Sequence, residues 1–233
     1  MIIGRGLVAT AFTPEWQYDP FTAIVAAGVS HSGETDPAAF AREEALLDEV
    51  MAMPSIRHIV YFGSCAVGNP AERQTPYLHH KARMEGRILA DPRGRVFRLP
   101  QVVGEGGNPH TLTNFLRARI ESGELFDVWA RAERNLIDIR DVATLGTYVL
   151  RHPDDYPRMM PLADVRSTNM LEIVRAMEAV LQRQGNYRIL DQGVSFPIDT
   201  RDCERAAAAC GVPLGEGYLL RLLGHYYVAT GVV

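Results

Sequence analysis

The chain has 233 residues, of which 47% are hydrophobic and 22% are charged, values typical of a globular protein with a sizeable core. A formal net charge of −4 lacks the basic excess of nucleic-acid binders, and no apolar run reaches the roughly 20 residues that span a bilayer. We therefore expect neither a nucleic-acid nor a membrane partner. The first residues do not resemble a secretory signal, and the three cysteines form no metal-like cluster. These features predict a cytoplasmic protein with reduced thiols and no metal site.

Apolar strand-like segments alternate with helical patterns along the first 150 residues. Strands are predicted at residues 2–3, 22–27, 56–62, 95–99 and 135–139. Helices are predicted at residues 7–12, 77–89, 111–120 and 142–150. A further helix is predicted to begin at Pro37, after an Asp36 N-cap. Residues 14–20, with two prolines, predict a loop. The alternation predicts an α/β fold with a parallel sheet and helices on both faces.

After residue 150 the pattern becomes mainly helical. Helices are predicted at 170–181, 200–210 and 217–227, the first of them capped by Ser167 or Thr168. We therefore divide the chain into a cofactor-binding domain over residues 1–150 and a small substrate-binding lobe over residues 151–233.

A glycine turn, Gly4-Arg5-Gly6, follows the first strand and opens the helix that contains Ala9. Backbone N–H groups at such a turn can hold a pyrophosphate. In a complete dinucleotide fold, a further strand ends in an acid about 20 residues later and binds the adenosine ribose. Only Asp19 stands near that distance, in the predicted loop. The second and third strands are therefore predicted to be missing, which truncates the sheet on the adenosine side and puts segment 2–3 near or at its edge.

Ser64, Tyr77 and Lys81 are the candidate catalytic residues. Tyr77 and Lys81, four residues apart, lie on one face of a helix. The ammonium is expected to lower the pKa of the phenol from about 10, so that it can transfer a proton near neutral pH. Ser64, at the end of a strand, would hold the same substrate oxygen. The alternative is an ordinary exposed Tyr-Lys pair with Ser64 as a turn residue. His79 and His80 are expected at the surface or in a dimer contact.

These motifs together resemble the extended short-chain dehydrogenase/reductase family, whose members include NAD-dependent epimerase/dehydratase-like enzymes of nucleotide sugars. The resemblance covers nearly the whole chain and rests on the glycine turn, Ala26-Ala27-Gly28, segment 62–67, Tyr77-x-x-x-Lys81, segment 98–104 and segment 135–143. It implies a Rossmann-like fold in a shortened form. It also implies that Tyr77 is the general acid/base, that Ser64 polarises the substrate oxygen, and that Lys81 holds the nicotinamide ribose.

The resemblance implies an NAD or NADP cofactor. NADP is favoured because Arg5 could meet a 2′-phosphate where no acid repels it, although a solvated Arg5 is the alternative. The implied cofactor-binding residues are Gly4, Arg5, Gly6, Ala9, Gly28, Lys81 and Pro100. The implied substrate is a nucleotide-linked sugar, with Asn108, His110 and Asn114 as candidate contacts. A homodimer through helix 77–89 and the helix before it is also implied.

The expected activity is an NAD(P)-dependent oxidoreductase or epimerase reaction on the sugar, with 4-keto reduction as the first choice. Cys65-Ala66 stands where a sugar 4,6-dehydratase of this family would carry an Asp-Glu pair, which argues against dehydration. The alternative function is a non-catalytic relative that binds a nucleotide sugar or a partner subunit. The missing adenosine half of the cofactor site motivates that alternative.

Overall fold

The structure, a computed structural model, describes residues 1–69, 74–106 and 111–228. Its centre is a five-stranded sheet in the order β1-β2-β3-β4-β9, with every neighbouring pair parallel. The strands are β1 (Ile2–Ile3), β2 (Thr22–Val25), β3 (His58–Ser64), β4 (Gly94–Leu99) and β9 (Met159–Pro161). This arrangement confirms the predicted α/β fold.

Helices cover both faces of this sheet. The helices of the described ranges are α1 (Leu7–Trp16), α2 (Pro37–Met51), α3 (Pro76–Ala90), α4 (Leu112–Ser122), α5 (Ile139–Arg151), α6 (Met170–Leu181), α7 (Arg201–Cys210) and α8 (Tyr218–Tyr227). Side chains of a strand alternate between the two faces. Val60 and Phe62 therefore join one core with α1 and α5, while Ile59 and Tyr61 join a second core with α2 and α3.

The first strand lies at the edge of the sheet, as predicted. Ile2 pairs with Ile24 and Ile3 pairs with Val25, so β1 contacts only β2. Within the ranges that the structure describes, no strand lies on the outer side of β1. The chain passes directly from α1 to β2 and leaves no length for the two strands that would extend the sheet there.

Shorter strand pairs lie outside the central sheet and were not predicted, apart from the segment around β8. They are β5 (Gln101–Val103) with β8 (Leu136–Asp138), β6 (Phe126–Trp129) with β11 (Tyr187–Leu190), and β7 (Glu133–Arg134) with β10 (Thr168–Asn169). The division of the chain at residue 150 remains a prediction. Strand β9 follows that boundary and still completes the central sheet.

Two local predictions were wrong. Helix α1 continues through Pro14 to Trp16, where a loop was expected, because the buried Trp16 indole donates a hydrogen bond to Thr147 Oγ1 at 2.9 Å and fixes the last turn. The cap of α6 is Asn169, whose side chain accepts from the Leu171 N–H, rather than Ser167 or Thr168. None of the described helices is long and apolar enough to cross a membrane.

Candidate active site

A cleft of about 1600 Å³ opens at the carboxyl ends of the central strands. The ends of β2, β3 and β4 line it, as does the start of α1. This is the edge at which parallel α/β sheets bind ligands, because the loops that follow the strands and the helix N-termini meet there. Ser64, Tyr77 and Lys81 all line this cleft, so the fold brings the three predicted catalytic residues together.

The glycine turn forms one end of the cleft. Gly4 has a φ of +128°, and a Cβ there would lie 2.4 Å from the Ala26 carbonyl oxygen, so only glycine fits. Gly6 is the N-cap of α1, and a Cβ there would meet nothing within 4 Å. Arg5 is exposed beside it. Ala9 is 1% exposed and lies in the core, and its contact with a pyrophosphate stays a prediction.

Tyr77 lies in the first turn of α3, and Ser64 is the last residue of β3. Both side chains line the cleft, and an interaction with the Ser64 hydroxyl acts on the Tyr77 phenol. Burial raises the pKa of Tyr77 to about 12, and the charges of Glu43 and Glu85 add to this rise against the Ser64 hydrogen bond. The pKa of this phenol therefore lies above its usual value and not below it, as was expected, and Tyr77 is protonated at neutral pH.

Lys81 is engaged by protein groups. It is 4% exposed, and its Nζ donates to Tyr61 Oη at 2.9 Å, to Glu43 Oε1 at 3.1 Å and to the Phe62 carbonyl oxygen at 3.5 Å. These three acceptors match the three hydrogens of an ammonium group. Burial lowers the pKa of Lys81, and the charge of Glu43 opposes this shift only in part.

Glu43, from α2, is the centre of this buried network. Besides Lys81, it accepts hydrogen bonds from Tyr61 Oη at 2.6 Å and from the Val29 N–H at 2.7 Å, and His80 Nε2 lies 3.0 Å from it. Burial favours the neutral acid, but the charge of Lys81 and these hydrogen bonds outweigh it and hold the pKa of Glu43 below its usual value. The carboxylate is thus ionised and saturated with donors.

The expected surface position is wrong for His80 and right for His79. His79 is exposed. His80 is 3% exposed, and its ring stacks on Phe40 with centroids 4.6 Å apart while Nε2 contacts Glu43. The buried glutamate on the facing helix draws this imidazole inward.

A second buried carboxylate, Glu85, supports Ser64. Its Oε1 accepts the Ser64 N–H at 3.2 Å, and its Oε2 accepts from Arg98 Nη2 at 2.6 Å and Nε at 3.0 Å. This acid therefore orients the backbone of the candidate catalytic serine and is neutralised by the guanidinium.

Each buried carboxylate lies against a glycine. A Cβ on Gly63 would be 2.0 Å from Glu85 Oε1, and a Cβ on Gly28 would be 2.4 Å from Glu43 Oε1 and 2.9 Å from Lys81 Nζ. Gly28 lines the cleft as expected. Its lack of a side chain also makes room for the Glu43–Lys81 pair.

Sequence reasoning missed Glu43 and Glu85, although a signal was present. Glu43 lies on the same face of α2 as the buried Leu47 and Val50, four and seven residues further on. Glu85 stands four residues after Lys81 on the buried face of α3. An acid on the apolar face of a helix predicts a buried ion pair.

The remaining predicted residues lie toward the outer part of the cleft. Pro100 and Asn114 line it. Asn114 Nδ2 donates to the Gly106 carbonyl oxygen at 3.1 Å, and its Oδ1 accepts from Tyr227 Oη at 2.8 Å, which ties α4 to α8. Asn108 and His110 lie outside the described residues. In the described ranges, no group of three or more His, Cys, Asp or Glu side chains could hold a metal ion.

No protein-family model matches the sequence, and no curated protein is similar to it. Solved structures do share its fold. An NAD-dependent NDP-hexosamine 5,6-dehydratase of tunicamycin biosynthesis has a TM-score of 0.70 at 16% identity, over 91% of this chain and 78% of that chain. A UDP-glucose 4-epimerase from Brucella ovis in complex with NAD has a TM-score of 0.69 at 18% identity, over 95% and 82% of the two chains.

A third solved structure, RMD from Pseudomonas aeruginosa complexed with NADPH, has a TM-score of 0.66 at 16% identity, over 97% of this chain and 88% of that chain. At such identities, the likeness shows the fold. The chain therefore has the α/β, Rossmann-like architecture of these nucleotide-dependent enzymes.

Proposed function

We propose that the protein is an NAD(P)-dependent oxidoreductase that acts on a nucleotide-linked sugar, by 4-keto reduction or by epimerisation. The observation that carries the proposal is the convergence of Ser64, Tyr77 and the glycine turn on one cleft. The neighbours support the class: the dehydratase is NAD-dependent, the epimerase structure contains NAD, and the RMD structure contains NADPH.

The residues present fit the phosphate and nicotinamide parts of such a cofactor. The open space at Gly6 lies at the N-terminus of α1, where unpaired backbone N–H groups favour an anion. Gly28 and Pro100 would line the remainder of the cofactor, and the exposed Arg5 favours the 2′-phosphate of NADP. A bound reduced nicotinamide would supply hydride to a carbonyl carbon. An adenosine would face the edge formed by β1, which favours binding mainly through the nicotinamide half.

The chain itself would manage the proton. Tyr77, protonated at neutral pH, donates its hydroxyl proton to the carbonyl oxygen of the substrate. The Ser64 hydroxyl donates a hydrogen bond to the same oxygen and stabilises its developing charge. Lys81 would reach a ribose hydroxyl only by giving up one of its three protein acceptors. Asn114 and the aromatic side chains of α8 line the part of the cleft left for the nucleotide sugar.

The test combines binding and turnover. NADH and NADPH are titrated into the protein by calorimetry, and oxidation of the nicotinamide is then followed with a panel of nucleoside-diphosphate 4-ketosugars. Tyr77→Phe should retain cofactor binding and lose about 100-fold or more of kcat, the usual contribution of a positioned acid. Tyr18→Phe, at a residue that is 87% exposed, is the matched control and should be unchanged. Full activity in Tyr77→Phe would refute the mechanism.

A second candidate is a non-catalytic protein that binds a nucleotide sugar or a partner subunit. The observation that favours it is the end of the described sheet at β1, where an adenosine pocket would otherwise form. In that case, millimolar NAD or NADP would leave the melting temperature unchanged, whereas a UDP-sugar would raise it by mass action.

The proposal includes a homodimer through α2 and α3. These helices lie side by side, joined at their outer surface by the ion pairs Arg83–Glu44 and Arg87–Asp48. Light scattering after size exclusion should give twice the chain mass of 25.9 kDa. A monomer at micromolar concentration would rule this interface out.

A further inference from the structure

We propose that the chain recognises only the nicotinamide half of its cofactor, so that the reduced nicotinamide mononucleotide serves it as well as NADH does. This inference rests on the proposed function and deepens it, because it names the part of the cofactor that the protein binds. The argument concerns the two sides of strand β1, which differ in what they offer a ligand.

The walls of the cleft that come from the central sheet all lie on one side of β1. Among the described residues, these walls are the ends of β2, β3 and β4, which follow β1 in that order across the sheet. The glycine turn after β1 is the last wall in the other direction. A ligand with its phosphate at this turn can therefore extend along a continuous protein surface toward Ser64 and Tyr77.

The glycine turn offers a site for one phosphate. Gly6, the N-cap of α1, has no side-chain cap, and the first turn of the helix contains no acid. The Thr10 N–H bonds to the Gly6 carbonyl oxygen, whereas the N–H groups of Leu7, Val8 and Ala9 precede the first intrahelical bond. A phosphate monoester carries up to about two negative charges near neutral pH. It therefore suits this helix end at least as well as one half of a diphosphate does.

The same side of β1 also contains a buried acceptor that lacks a donor. Gln101, directly after Pro100 at the start of β5, lines the cleft. Its buried Oε1 has no hydrogen-bond partner among the described residues. An unpaired buried oxygen destabilises the protein, and a ligand that donates a hydrogen bond would satisfy it. This oxygen indicates that the part of the cleft beyond the glycine turn is a binding site for a polar ligand.

The other side of β1, which an adenosine would face, is an open edge of the described sheet. Ile2 and Ile3 pair only with β2 and are half-buried, whereas all four residues of β2 are buried. In a complete dinucleotide fold, an acid about 20 residues after the glycines binds the adenosine ribose. Asp19 stands nearest to that distance, but its Oδ1 accepts the N–H groups of Phe21 and Thr22 at 2.7 and 2.8 Å.

Asp19 also lies at the opposite edge of the sheet from the glycine turn. It precedes the first residue of β2, whereas the turn follows the last residue of β1, and the two strands are parallel. The four residues of β2 span roughly 13 Å between these edges. Asp19 is therefore in no position to bind a ribose that extends from the turn. The exposed Arg5 remains, and an exposed ion pair with the 2′-phosphate of NADPH would add at most about fivefold in affinity.

The loss of the adenylate leaves the chemistry unchanged, because the mononucleotide and NADH contain the same reduced nicotinamide ring. In either case, the carbonyl carbon of the substrate gains the hydride with its electron pair. The carbonyl oxygen gains the Tyr77 proton, and the nicotinamide is left oxidised. The two compounds can therefore differ only in how the protein binds them.

The test measures binding in the absence of substrate. Calorimetry compares the reduced nicotinamide mononucleotide, NADH, NADPH and ADP-ribose, which contains the adenosine and the diphosphate but no nicotinamide. The mononucleotide and NADH should have dissociation constants within about fivefold of each other, because a held adenosine would add about 10- to 100-fold through base stacking alone. ADP-ribose should bind about tenfold or more weakly than either of them.

A variant of Gly6 tests whether the phosphate lies at the glycine turn. Gly6 has a φ of −82° and a ψ of −177°, an extended conformation that aspartate adopts readily, and aspartate is a preferred N-cap residue. Gly6→Asp should therefore fold with an undiminished melting temperature. Its carboxylate would occupy the first-turn N–H groups and repel a phosphate, so the mononucleotide and NADH should both bind about tenfold or more weakly. Gly86→Asp adds the same charge on the exposed side of α3, outside the cleft, and should leave binding unchanged.

The outcomes separate this inference from the proposed function. NADH bound tenfold or more tightly than the mononucleotide, ADP-ribose bound as tightly as NADH, or undiminished binding in Gly6→Asp would overturn the inference and leave the proposed function standing. Equal binding of the mononucleotide and NADH without turnover of any nucleotide sugar would refute the proposed function and leave the inference standing. Binding of no nicotinamide compound at all would refute both.

Discussion

Replacement of Lys81 by Met should destabilise the protein by about 3 kcal/mol at pH 8, because it leaves the Glu43 carboxylate buried without its counter-ion. Removal of one partner of a buried ion pair usually costs about 3–5 kcal/mol. Glu43 would keep its contacts with Tyr61, Val29 and His80, which places the loss at the lower end of that range.

A matched control exists between the same two helices. Arg87 on α3 and Asp48 on α2 also form an ion pair, but both side chains are substantially exposed. Because solvent screens such a pair, Arg87→Met should cost no more than about 1 kcal/mol. The free energy of unfolding is measured by urea denaturation followed by far-ultraviolet circular dichroism.

The pH dependence gives the sharper check. In the unmodified protein, the pKa of Glu43 is lowered, so its contribution to stability is full above its unfolded value and is lost only in acid, below about pH 4. In Lys81→Met, the charge that lowered this pKa is gone and burial raises it, so the folded variant takes up a proton as the pH falls. The difference between the two proteins should therefore shrink between pH 8 and pH 5. A difference that is constant with pH, or no larger than that of Arg87→Met, would refute the reasoning.

Four further substitutions test the packing around the cleft and the ends of the helices. Gly28→Ala should lower the free energy of unfolding by about 1–3 kcal/mol, because the new methyl group would overlap Glu43. Gly86→Ala should instead raise it by about 0.5–1 kcal/mol, because this exposed helical glycine has nothing within 4 Å. Paired thermal melts compare the two variants. Asp36→Ala removes the side-chain cap of α2 and should cost about 1 kcal/mol in urea denaturation. Trp16→Phe removes the buried indole hydrogen bond and should cost about 1 kcal/mol; no loss would mean that this bond does not hold the end of α1.

The central strands could be predicted because a strand buried on both faces is a continuous run of apolar residues in the sequence. Segment 56–62 is almost continuously apolar, and β3 occupies the middle of the sheet. Strand β9 has no such apolar run, because it is only three residues long, and it joins the sheet by pairing with β4. The end of α1 could not be predicted either, because the helix continues past Pro14 through a contact of Trp16 with Thr147, more than a hundred positions away in the sequence.

One property of the candidate site could be predicted from the sequence and another could not. The grouping of Ser64, Tyr77 and Lys81 in one cleft follows from helical spacing and from the position of Ser64 at a strand end. The electrostatic state of Tyr77 does not follow from that spacing. Burial is the largest cause of the raised pKa of Tyr77, and the charges of Glu43 and Glu85 add to it. Glu43 comes from another helix, 38 positions before Lys81. A pattern of four residues cannot reveal which other charge lies beside it in the folded chain.

The contact between each buried glutamate and a glycine has an evolutionary consequence. A side chain at Gly28 or Gly63 would displace the long acid opposite, since a Cβ would lie 2.4 or 2.0 Å from a carboxylate oxygen. We therefore expect each pair to change together, so that homologues with a larger residue at position 28 carry a shorter one at position 43. Covariation between these positions would identify the relatives that share this arrangement, even where overall sequence similarity is too low to detect.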